Sequence, residues 1–199
     1  AMNLGTTTVA VTDNATLNAG TGTVTLGATT IADGKKLTLG TGGATIVNAT
    51  TITGDAATGA AEDLTINTTG LVTATGAVGT VPLGTILVTQ SGGVDFQGAV
   101  SAATVTIADT AAAAAVNFAG NLTATTGMSA AAGTGAYNLN IRGTTNTIAG
   151  ATTLANTGTT AIGDALGDTT TFSGGLVATA GAKNIAGAIN TTSAAMNLG

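Results

Sequence analysis

A chain of 199 residues with a net charge of −5, four Lys or Arg residues, no cysteine and no histidine sets several chemistries aside. Lys35, Lys36, Arg142 and Lys183 are too few for the basic stripe that nucleic acid demands, and the missing Cys and His remove disulfides, thiolate nucleophiles, the commonest metal ligands and the usual general base. Charged residues make up 7% and hydrophobic residues 44%, with one proline, a balance that opposes disorder, while one Tyr and three Phe leave little bulk for a broad globular core.

In chain order, the first residues are Ala1-Met2-Asn3-Leu4-Gly5, with neither the basic start nor the apolar block of a signal peptide in residues 1–20. Any targeting segment of an exported protein is therefore expected outside this chain. Short triplets with apolar ends and a polar centre follow: Val24-Thr25-Leu26, Leu37-Thr38-Leu39, Leu64-Thr65-Ile66, Val105-Thr106-Ile107 and Leu139-Asn140-Ile141. Period-two alternation of this kind marks strands with one buried face. Gly27, Gly40 and Gly143 follow three of them, where the chain must turn a corner. Ala111–Val116, the longest apolar stretch, is far below the roughly 20 residues that span a bilayer as a helix.

Val94-Asp95-Phe96-Gln97-Gly98 returns as Val116-Asn117-Phe118-Ala119-Gly120, an offset of 22. Phe96 and Phe118 are thus expected to lie one above the other. A second match sets Phe118-Ala119-Gly120-Asn121-Leu122 against Phe172-Ser173-Gly174-Gly175-Leu176 at an offset of 54, which implies coils of variable length. Triplets this short bury a core only by stacking on copies of themselves, so the expected fold is all-β, a parallel β-helix (β-solenoid) of about nine coils of roughly 22 residues, about 40 Å long. Finally Ala195-Met196-Asn197-Leu198-Gly199 repeats the first five residues, an offset of 194. Residues 1–199 therefore read as a single solenoid segment, about one unit of a tandem array.

Gly/Thr/Asn-rich runs such as Thr30-Ile31-Ala32-Asp33-Gly34-Lys35-Lys36-Leu37-Thr38-Leu39-Gly40 resemble filamentous-haemagglutinin-type exoproteins and autotransporter passenger domains. The resemblance implies a right-handed, three-faced helix in a secreted bacterial cell-surface protein. The function expected is a structural rod or filament segment whose units stack end to end, the partner being a further copy of itself. An adhesin binding a glycan or a host or neighbour-cell protein through a lateral face is the alternative, and a carbohydrate-active β-helix enzyme a weaker one.

No catalytic, cofactor-binding or metal residue is assigned, and the chain is not expected to be an enzyme. Asp164 with Asp168, Glu62 with Asp63, and Asp95 are acids in turn-rich contexts and read as turn or solvated residues. Calcium binding would need an acidic nonapeptide repeat or an Asp-rich loop ending in Glu, and neither is present. The threonine pairs Thr21/Thr23/Thr25, Thr51/Thr53, Thr73/Thr75, Thr104/Thr106 and Thr123/Thr125 recur too irregularly for one flat hydroxyl file and read as surface strand formers. Asn117 and Asn140 are expected as turn formers or members of stacked amide ladders.

Overall fold

The computed structural model describes residues 1–5, 7–56 and 61–199, and within them the chain is an all-β parallel solenoid. Every strand pair is parallel, and each strand lies on the strand one turn earlier in the chain. The sequence reason is the alternation: Thr23–Leu26, Asp63–Asn67 and Asn138–Ile141 bury every second residue and turn Thr, Asn or Asp outward.

Nine strands, from Met2–Asn3 to Lys183–Ile185, form the first face. Fifteen others form a sheet that bends along its length into second and third faces, because Val78–Gln90, Val100–Ile107 and Leu122–Ala130 run across that corner. On the first face the register climbs through Met2, Val24, Val47, Val72, Val94, Val116, Leu139, Thr160 and Lys183. About eight turns with a step of about 23 therefore stand where nine of 22 were expected. The difference comes from the corners. Over all three faces the offset ranges from 19, between Ile86 and Val105, to 27, between Leu37 and Leu64. One excursion inserts Gly79, Thr80, Val81 and Pro82 opposite Ser101, and there the only proline finds a bulge that needs no ladder hydrogen bond from it.

Phe96 and Phe118 are register partners, their rings stacked with centroids 5.3 Å apart and planes 25° from parallel. The glycines two residues later stack as well. A Cβ on Gly120 would meet Gly98 backbone at 2.5 Å, and one on Gly98 would meet Gly76 at the same distance, so the first-to-second-face corner closes only without side chains. Phe172, by contrast, pairs with Ile148 on the second face. The offset of 54 therefore joins non-equivalent places: two turns carry Phe118 to Ile162 by way of Ile141, and one further face leads to Phe172. The coils do vary in length, but that match does not measure it.

The core is a column lined on the first face by Val24, Val47, Val72, Val94, Val116 and Leu139, all at most 2% exposed. Beyond them one inward position per face turns polar: Thr160 on the first, Asn146 and Thr170 on the second, Thr152 on the third, each buried. At the third-to-first-face corner, buried Thr45, Thr68, Ser91 and Thr110 line the turn. Thr68 donates to the carbonyl of Gly43 at 2.8 Å and to that of Thr45, so its hydroxyl binds backbone groups of the preceding coil. Among the described residues no helix is long and apolar enough to cross a membrane.

Candidate functional site

Each acid singled out in the sequence has a definite place. Asp168 Oδ2 accepts the N–H groups of Asp164 and Ala165 at 2.8 and 2.9 Å, and these two bonds hold its carboxyl below the usual range. Asp164 and Asp168 thus shape one tight turn, whose tip residue Leu166 is 95% exposed. Asp95 lies on the outward side of the first face. Its Oδ2 accepts from Gln97 Nε2 at 2.9 Å and its Oδ1 from Asn117 Nδ2 at 3.5 Å, while Asn140 Nδ2 donates in turn to Asn117 Oδ1. This is the amide ladder expected of Asn117 and Asn140, with an aspartate at its foot. Asp63 Oδ1 accepts from Thr85 N at 2.8 Å, a bond between neighbouring coils.

Glu62 behaves differently from its neighbour. It is 3% exposed, and a Cβ built on Gly54 would lie 2.5 Å from its Oε2. Gly54 stands in register above Ile31, at an inward-facing position of the second face, so the Glu62 carboxyl fills room that the missing side chain leaves in the column. Burial pushes the Glu62 carboxyl up, with Asp55 and Asp33 adding to the rise by charge and Asp55 also by a side-chain hydrogen bond. Asp33 N donates to Asp55 Oδ2 at 3.0 Å, and Asp33 Oδ1 is buried with no hydrogen-bond partner among the described residues. One coil away Lys35 Nζ pairs with Asp13 Oδ1 at 3.3 Å. The Asn14 N–H, and then Lys35, hold the Asp13 carboxyl below its usual range.

Half-buried Asp33 and Asp55 thus stand beside the buried Glu62 at the corner between the second and third faces. No described group of three or more acidic side chains has the geometry to hold a metal ion. A second buried ionisable group, Tyr137, donates to Ala131 O at 2.6 Å, and burial, reinforced by the charge of Asp109, pushes its hydroxyl up to about 12. Asp109 itself is held low, chiefly by the Thr134 hydroxyl at 2.7 Å.

The outer faces carry the other candidate surface. Thr25 and Thr73 lie on the first face, Thr53 and Thr123 on the second, Thr104 and Thr106 on the third, so the threonine pairs picked out by spacing do not share one file. Other residues do. On the second face Ser101, Thr123, Thr147 and Thr171 are successive register partners, with Thr145 and Thr169 beside the last two. On the third face Thr16, Thr38 and Thr65 form one run and Thr106, Ser129 and Thr153 another. Neighbouring coils put these hydroxyls about 4.8 Å apart along the axis. Between the two third-face runs Leu87 interrupts the file, and on the second face the excursion at 79–82 does so, with Thr53 Oγ1 accepting from Val81 N at 2.8 Å. A register with offsets from 19 to 27 hides such files from any fixed period.

No family model, curated protein or solved structure matches the chain.

Proposed function

We propose that this chain is a structural rod segment of a secreted bacterial cell-surface protein, and that units of it continue one another end to end in a fibre, stalk or sheath. The observation that carries the reading is that every strand pairs parallel with its neighbour a turn away, so the architecture is a column that can be lengthened by further coils without changing its section. The pentapeptide recurrence at an offset of 194 supports a unit of that length. The column winds right-handed, in keeping with the strong preference of parallel strand–crossover–strand connections for that hand. Its chemistry resides in geometry, with no catalytic role for the Glu62 corner. Light scattering and electron microscopy of the purified chain test this: rods that lengthen with concentration are expected, and a strictly monomeric particle at high concentration would overturn end-to-end joining.

A second reading is an adhesin that uses a lateral face. The hydroxyl files of the second and third faces favour it, because regularly spaced hydroxyls suit a repeating polar ligand such as a glycan. Saturable binding to a glycan array, lost in Thr147→Val together with Thr171→Val, would support this reading over a purely structural rod. Silence across the array would leave the rod.

A further inference from the structure

The two copies of the pentapeptide fold alike but stand on different faces. Met2–Asn3 is the first strand of the first face, pairing with Val24 and Thr25, whereas Met196–Asn197 pairs with Leu176 and Val177 on the third. Locally they match: Gly5 N donates to Asn3 Oδ1 at 2.8 Å and Gly199 N to Asn197 Oδ1 at 3.1 Å, and both glycines take positive φ, 79° and 96°. The same Asn-x-Gly corner also ends the third face of the first coil, where Gly20, φ 63°, donates to Asn18 Oδ1 at 3.0 Å. In both earlier cases the next inward valine follows four residues after the glycine, Val9 after Gly5 and Val24 after Gly20. One corner therefore serves two different edges of the column.

We infer that consecutive 194-residue units join with a phase step: each contains eight and two-thirds turns, so the next unit starts one third of a turn out of step and its first coil caps the Ile185 and Met196 edge of the unit before. The inference rests on the reading that the recurrence marks a tandem unit. Register supports the joint. With the unit repeated, the counterparts of Val9, Ala15 and Val24 fall at positions 203, 209 and 218. These lie beyond Lys183 on the first face, Ile189 on the second and Met196 on the third by steps of 20, 20 and 22, all within the observed range of 19 to 27. Ile185 and Met196, 48% and 39% exposed at inward positions, would be covered. At the other edge, a cavity of about 310 Å³ lined by Val9, Val11, Ala15, Leu17 and Leu37 would receive the last coil of the preceding unit. Lateral features then turn by one third per unit. Leu166 and the hydroxyl files are presented in three directions in succession, and the assembly returns to phase after three units, 26 turns or about 125 Å at about 4.8 Å per turn.

The test is a polypeptide of three successive 194-residue units carrying Leu166→Cys, the sole thiol of each unit, labelled with a gold cluster and imaged by electron cryomicroscopy; Ala165→Cys on the same exposed loop is the second variant. The expected result is one continuous rod with labels about 42 Å apart along the axis, each turned by a third of a circle from the last. Labels aligned on one side of a continuous rod would overturn the phase step while leaving the array intact. Three separate particles on a string would overturn the array reading itself.

Discussion

The coils around Phe96 and Phe118 and the coils around Asn146 and Thr170 share one register but are filled differently. In the first, stacked rings and Val72, Val94 and Val116 make the interior apolar. In the second, Asn146 Oδ1 accepts from Leu122 N at 2.9 Å while its amide donates to Gly143 O at 2.7 Å and Thr170 Oγ1 at 3.0 Å. Nearby Thr160 Oγ1 donates to Asn156 Oδ1 at 3.1 Å, and Asn156 is wholly buried. A solenoid interior is thus tolerant of composition when each polar atom finds a partner in its own or the next coil, because the backbone ladder is the same in both regions. What differs is the penalty for error: a lost methylene in one, an orphaned donor in the other.

That contrast can be broken deliberately. Phe118→Ala should have the largest effect, a loss of about 3–5 kcal/mol from the vacated volume and the lost stacking on Phe96, measured by urea unfolding. Asn146→Leu should cost less, about 1–3 kcal/mol, through the unpaired Leu122 N–H and Gly143 C=O, and hydrogen exchange at Leu122 should rise while exchange around Phe96 stays unchanged. Equal costs for the two would erase the distinction between the regions.

Glu62→Gln should give the smallest change and sharpen it by pH. The folded state raises the Glu62 pKa, so it binds the proton more tightly than the unfolded chain. This contribution is fully present below the ordinary Glu value of about 4.3 and is lost as pH rises through the raised folded value. The Gln variant, a mimic of the protonated group, should match the parent at low pH and exceed it at neutral pH. Asp109 and Asp168, both held low, run the opposite way, with stability present above the ordinary Asp range and lost as pH falls through their folded values. A parent curve flat at every pH above the ordinary Glu value of about 4.3 in local exchange at Leu64 and Ile66 would remove the buried-carboxyl account.

Much of the architecture was legible because it is local. Val24-Thr25-Leu26 shows its buried face within three residues, and Phe96-Gln97-Gly98 against Phe118-Ala119-Gly120 shows one true register step at an offset of 22. The turn role of Asp168 was legible from its neighbours. What escaped depends on register between distant segments. Asp33, Asp55 and Glu62 meet only when Gly54 stands above Ile31, and Thr123, Thr147 and Thr171 align only when offsets of 24 follow one of 22. The polar interior near Asn146 was hidden for a further reason: in Thr145-Asn146-Thr147-Ile148, outward and inward residues are both polar until the last position, so alternation is invisible.

The central claim is that residues far apart in sequence stand in one straight column at a strand spacing per turn. Asn48 and Asn184, 136 residues apart in sequence, occupy the same outward column of the first face, six rungs from one another by way of Thr73, Asp95, Asn117, Asn140 and Ala161. With Asn48→Cys and Asn184→Cys the only thiols, paired spin labels read by double electron–electron resonance should give a single narrow distance near 29 Å, six steps of about 4.8 Å. A broad distribution, or a maximum displaced by more than about three such steps, would contradict it.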